Sequence, residues 1–125
     1  MMTGNLSGKV IGAAIEVHRV LGAGLLESAY ELAFEHELRL QGLRVARQLA
    51  VPLHYKNIAL GDGFRLDLLV EETLVIEVKA IDKILPLHEA QLLTYLRLAK
   101  KPLGLLVNFN NRVLKDGIKR IANGL

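Results

Sequence analysis

The sequence contains no cysteine. That absence excludes a disulfide framework, a thiolate zinc site and a catalytic cysteine. Serine is nearly as scarce. Only Ser7 and Ser28 occur, and no Gly-x-Ser-x-Gly turn is present, which disfavours a triad hydrolase. No apolar run approaches the roughly 20 residues of a membrane span, so no membrane partner is expected. The short run Val10 to Ile15 meets Glu16 at once and does not suit a secretory segment. The expected compartment is the cytoplasm. Linkers, repeats and low-complexity stretches are also missing, so residues 1–125 read as one domain.

What is present favours a packed core. Apolar residues make up 51% of the chain and charged residues 23%, a balance that argues against disorder. The formal net charge is +3. From position 100 onward, Lys100, Lys101, Arg112, Lys115, Lys119 and Arg120 face Asp116 alone, while acids slightly outnumber bases before it. Charge by itself reads first as a solvated tail. A basic end beside a carboxylate-bearing body also suits a site that takes metal and phosphate together.

Apolar spacing predicts a helix over 6–21, with Gly22 as its stop, and a second over 26–41, with Gly42 as its stop. Strand signals follow over 43–55, with Pro52 at an edge or bulge. Lys56-Asn57 offers a turn, and Gly61-Asp62-Gly63 a stronger one. Strands are expected over 64–70 and 73–79, joined as a hairpin through Glu71-Glu72. Pro86 opens a helix to about residue 100. An apolar strand over 103–109 and a short basic helix over 112–122 complete the chain. The class is α/β, with a mixed central sheet flanked by helices.

Phosphodiester hydrolysis needs carboxylates to hold a metal and a cation to stabilise developing charge. Along 73–79, strand alternation puts Glu77 and Lys79 on one face, about 7 Å apart. Both end an apolar strand, where charge needs a partner. Asp67 lies between Leu66 and Leu68 in the preceding strand. Hairpin pairing brings it near Val75 or Glu77, so a metal can bridge Asp67, Glu77 and the Val78 carbonyl. Taken singly, each residue also reads as surface decoration. Glu27 lies in the first turn of its helix, where an acid favours the dipole. Gln91 and Tyr95 are one turn apart, with His88 on the same face.

At this point the chain resembles a known family. Gly24-Leu25-Leu26-Glu27-Ser28-Ala29-Tyr30 matches the pattern that names the GxxExxY family. Glu16-Val17-His18-Arg19, Arg65 to Val70, Glu77-Val78-Lys79, His88 to Leu96 and Asn108-Phe109 fall in the same order and spacing. The resemblance implies the restriction-endonuclease-like fold of the PD-(D/E)XK superfamily. Asp67 then resembles the acid of the PD element, with Leu66 where the name puts proline. Glu77 and Lys79 resemble the (D/E)XK pair. Glu27 resembles a helical carboxylate that completes the metal site, and Gln91 with Tyr95 a QxxxY element beside the substrate phosphate.

The resemblance implies a nuclease dependent on Mg²⁺ or Mn²⁺, with DNA the expected substrate. Asp67, Glu77, Val78 and Glu27 are the candidate metal residues. Lys79, Gln91 and Tyr95 join Asp67 and Glu77 as candidate catalytic residues. His18, Arg65 and His88 are candidates for holding substrate, and a homodimer is one expected assembly. The alternative is a non-catalytic nucleic-acid-binding module on the same fold. A hydrolase of small phosphate compounds is a third reading, weakened by the lack of aromatic or Gly-rich nucleotide-binding loops.

Overall fold

The computed structural model describes residues 3–124. Helix α1 (Thr3–Leu21) buries Val10, Ala13, Ala14 and Val17, which share one face at helical spacing. It stops at Gly22, whose φ of 72° is left-handed and whose N–H donates to the His18 carbonyl at 2.8 Å. Helix α2 (Glu27–Leu40) buries Tyr30, Phe34 and Leu38 at four-residue intervals. No described helix is long and apolar enough to cross a membrane.

Five strands form one mixed sheet in the order β1 (Val45–Tyr55), β2 (Ile58–Val70), β3 (Leu74–Lys79), β4 (Leu103–Asn108) and β5 (Ile118–Ala122). Only β3 and β4 are parallel. Helix α3 (Pro86–Ala99) makes the crossover between them. Leu74, Ile76 and Val78 of β3 pack with α1 and α2, and Val75 packs with Leu92 and Leu96 of α3. The sheet therefore separates two apolar layers, and alternation places Glu77 and Lys79 on the α3 side. This is an α/β fold consistent with a restriction-endonuclease-like core.

Two expectations from the sequence are corrected. The hairpin turn is Lys56-Asn57, with φ of 47° and 70°, and not Gly61-Asp62-Gly63. Tyr55 pairs with Ile58, so this is a two-residue turn of the kind that matches strand twist. The glycines serve the strand instead. The β1–β2 register shifts around Pro52, opposite Asp62, and Gly61 has a φ of 84° there. A Cβ on Gly63 would lie 2.7 Å from Leu53 Cβ.

The basic helix expected over 112–122 is a 3₁₀ turn (Leu114–Gly117) followed by β5. Ile118 packs into the α1/α2 layer and Ile121 into the α3 layer. Their three-residue spacing imitates a helix face, yet on a strand it serves opposite faces. Pairing with β4 also satisfies a strand whose six residues are all buried.

One irregularity positions the site. Val45 of β1 packs in the first layer and Ala46 in the second, but Val51 also packs in the second. On β2, Phe64 and Leu66 pack on the α3 side, whereas Leu68 and Val70 pack on the other. The alternation breaks at Gln48 and at Asp67. The β2–β3 ladder also ends there, its last pair being Leu68 with Ile76.

Candidate active site

Beyond Leu68 the two central strands exchange side-chain bonds in place of ladder bonds. Asp67 N–H donates to Glu77 Oε2 at 3.0 Å, and Val78 N–H donates to Asp67 Oδ2 at 2.8 Å. Glu77 is buried and Asp67 half-buried. Among the described residues the ion pairs involve other carboxylates, so neither has a Lys or Arg partner in contact. Burial first, then the Asp67 charge, pushes the Glu77 carboxyl up to about 8, against the pull of the Asp67 N–H and the Lys79 charge. Burial likewise raises Asp67, opposed by its bond from Val78 and by Lys79. Lys79 is thus the nearby cation, and it acts on both carboxylates at a distance.

The segment leaving β3 is fixed from below. Asn108, fully buried, donates through Nδ2 to the Ile81 carbonyl at 2.9 Å and accepts from Ile81 N–H at 3.0 Å. Phe109 N–H donates to the Lys79 carbonyl at 2.9 Å. Tyr30 stacks on Phe109 with ring centres 4.6 Å apart, and its hydroxyl donates to the Gly22 carbonyl and accepts from Leu25 N–H. The tyrosine of the Gly24–Tyr30 segment therefore pins the connection between the first two helices.

That anchoring fixes the carboxylates of α2. Glu27 is exposed and accepts from Ala80 N–H at 3.1 Å, so it meets the chain just past Lys79. One turn later Glu31 is buried, and its charge bears on both Asp67 and Glu77. Arg47 Nη1 lies 3.0 Å from Glu31 Oε2. Gln48 Nε2 reaches both Glu31 oxygens at 3.0 Å and Asp67 Oδ1 at 3.3 Å. Sequence reasoning missed Glu31 and Gln48. The available signal was that Glu31 adjoins Tyr30 and lies one turn from Glu27; Gln48 gave none.

Of the remaining sequence candidates, Tyr95 is half-buried and stacks on Phe64 at 4.4 Å. Burial raises its hydroxyl pKa, with the Glu77 and Asp67 charges adding to the effect, so the three share one electrostatic environment. Gln91, one turn earlier, is exposed. His88 is engaged by its own helix, its Nδ1 accepting from Leu85 N–H at 2.8 Å. His18 Nε2 lies 2.8 Å from the Asn111 carbonyl, which leaves Nδ1 uncommitted. Arg65 is exposed, with Nη1 3.3 Å from the Gln48 carbonyl.

A mixed sheet whose central strands part around the half-buried Asp67 and the buried Glu77, with a lysine on the same face, is consistent with a restriction-endonuclease-like core. The chain belongs to the PD-(D/E)XK nuclease superfamily, whose family model matches residues 4–121. No curated protein and no solved structure matches the chain.

The donor set fits a hard dication in its chemistry. The half-buried Asp67 and the buried Glu77 have no contacting cation among the described residues, so a dication would offset their charge, and Mg²⁺ needs few protein ligands because it keeps several waters. Among the described residues no group of three or more His, Cys, Asp or Glu side chains is placed to hold a metal ion.

Proposed function

We propose that this protein is a divalent-metal-dependent nuclease that hydrolyses phosphodiester bonds, with DNA as substrate. One observation carries the reading: the half-buried Asp67 and the buried Glu77 lie side by side, bonded to neutral donors among the described residues, with Lys79 on the face of Glu77. Asp67, Glu77 and the Val78 carbonyl would hold Mg²⁺ or Mn²⁺, with the exposed Glu27, which accepts from Ala80 N–H, reaching the ion through water. Val78 already gives its N–H to Asp67, and in a strand the carbonyl of the same residue points to the same side. Bound there, a dication supplies Lewis acidity and a more acidic water.

The chain's own residues do the rest. Lys79 Nζ would position the attacking water and offset charge gathering on the phosphate oxygens. Tyr95, held against Phe64, would donate its hydroxyl to phosphate or water, with Gln91 beside it on the same helix. Arg65 and the basic C-terminal segment would track the backbone, and His18 and His88 would line the approach. A homodimer would supply further substrate contacts.

The test is cleavage of single- and double-stranded DNA and RNA in Mg²⁺, Mn²⁺ or EDTA. The expected result is metal-dependent cutting of DNA that EDTA abolishes. Binding without cleavage under every condition moves the reading to a non-catalytic nucleic-acid-binding module.

A further inference from the structure

Gln48 lies inside β1 with a φ of 54°, a left-handed conformation between two regularly paired neighbours. A residue with a Cβ is strained there, and glycine would adopt the conformation without that strain. The side chain shows what that backbone achieves. Its Nε2 faces three carboxylate oxygens: both of Glu31 at 3.0 Å and Asp67 Oδ1 at 3.3 Å. Glu31 is 7% exposed, and its Oε2, which Gln48 also reaches, accepts from Arg47 Nη1 at 3.0 Å. Arg47 in turn reaches Glu35 at 3.4 Å. The result is a continuous brace from α2 through Arg47, Glu31 and Gln48 to Asp67.

We propose that Gln48 is a positioning residue of the metal centre. Its carboxamide ties Asp67 to the buried Glu31 and fixes the direction in which Asp67 presents its carboxylate. The inference rests on the metal-centre reading above. An amide suits the task because it orients a carboxylate without cancelling its charge. A lysine or arginine in its place would compete with the metal for Asp67. Arg47 carries such a charge, but the structure spends it on Glu31 and Glu35. Hydrogen-bond partners that orient metal-ligating side chains typically contribute a factor of about 10 to 100 in metal affinity.

Calorimetric titration of Mn²⁺ into the full chain at one pH tests this, with melting curves recorded beside it. The proteins are the wild type, Gln48→Gly, Gln48→Asn, Glu31→Gln, the Gln48→Gly/Glu31→Gln double variant and Asp67→Asn. Gln48→Gly relieves the backbone and removes the amide. Gln48→Asn keeps an amide and suits a left-handed φ but is one methylene too short. Both are expected to melt cooperatively and to bind Mn²⁺ about 10-fold more weakly or worse. The double variant is expected to lose less than the product of the single losses, because both act on one brace. If either Gln48 variant fails to fold, the other decides. Wild-type affinity in the folded Gln48 variants, whatever their melting temperatures, overturns the proposal and leaves Gln48 as a purely structural brace. If the wild type binds no Mn²⁺, or Asp67→Asn binds it equally well, the metal-centre reading falls and takes this inference with it.

Discussion

Burial raises the affinity of both Asp67 and Glu77 for a proton, and at Glu77 the Asp67 charge adds to the effect. Glu77 moves from an ordinary 4.5 to about 8, so in the metal-free protein it takes up a proton on folding across that window. A group whose folded pKa is raised favours the folded state at low pH, and that contribution disappears as pH rises through the folded value. Metal-free protein should therefore lose stability, by up to roughly a few kcal/mol, between about pH 5 and pH 8. Thermal melts in EDTA check this: the wild type should fall across the range, and Glu77→Gln should flatten the slope. A flat wild-type profile contradicts the burial of an uncompensated carboxylate. Asp67, Glu77 and Lys79 were legible because each interrupts an apolar strand, where charge demands a reason. Glu31 was not, because an acid on a helix that also carries Glu35 and Glu37 reads as solvent face. Gln48 was invisible, because a left-handed φ at a glutamine inside a strand carries no signal in the sequence.

At the scale of elements, the helices and the two central strands follow from apolar spacing and glycine stops. The misreadings came from glycine and isoleucine. Gly61 and Gly63 mark a bulge and a close approach to Leu53, and sequence does not distinguish these from a turn. Ile118 and Ile121 serve opposite layers, which only the sheet reveals. Gly117 makes the revised C-terminal element testable. A Cβ there would lie 2.5 Å from Asn111 Oδ1 and 2.7 Å from the Asn108 carbonyl. Gly117→Ala should destabilise the protein by about 1–3 kcal/mol in denaturant titration, as overpacking does; a helix at this position would be neutral or favoured. Tyr30→Phe should keep the stack on Phe109 and lose the hydroxyl bonds to Gly22 and Leu25. A loss of roughly 1 kcal/mol in the same measurement is expected.

At the scale of the molecule, the basic C-terminus is part of the sheet rather than a tail. Glu77 pairs with Leu106, and Leu106 with Lys119, so Lys119 sits on the face of Glu77 two strands away. With Lys83, Asn111 and Asp116 it lines a recess at that end of the sheet. Arg120 pairs with Leu105 and faces the other layer. If substrate runs across the Glu77 face, Lys119→Ala should weaken DNA binding and lower the salt-dependence slope by about 1, with Arg120→Ala leaving both unchanged. Binding titrations over a salt series check it, and equal effects of the two variants would remove the assigned path.

In the proposed function, cleavage depends on a metal held by Asp67 and Glu77 and on the charge of Lys79. The most direct measurement is the single-turnover rate on a DNA oligonucleotide in saturating Mn²⁺ for the wild type, Glu77→Ala and Lys79→Ala, each with an EDTA control. The expected result is wild-type cleavage that EDTA abolishes, and a loss of at least about 100-fold in either variant with folding intact. Cleavage that survives both substitutions would contradict it.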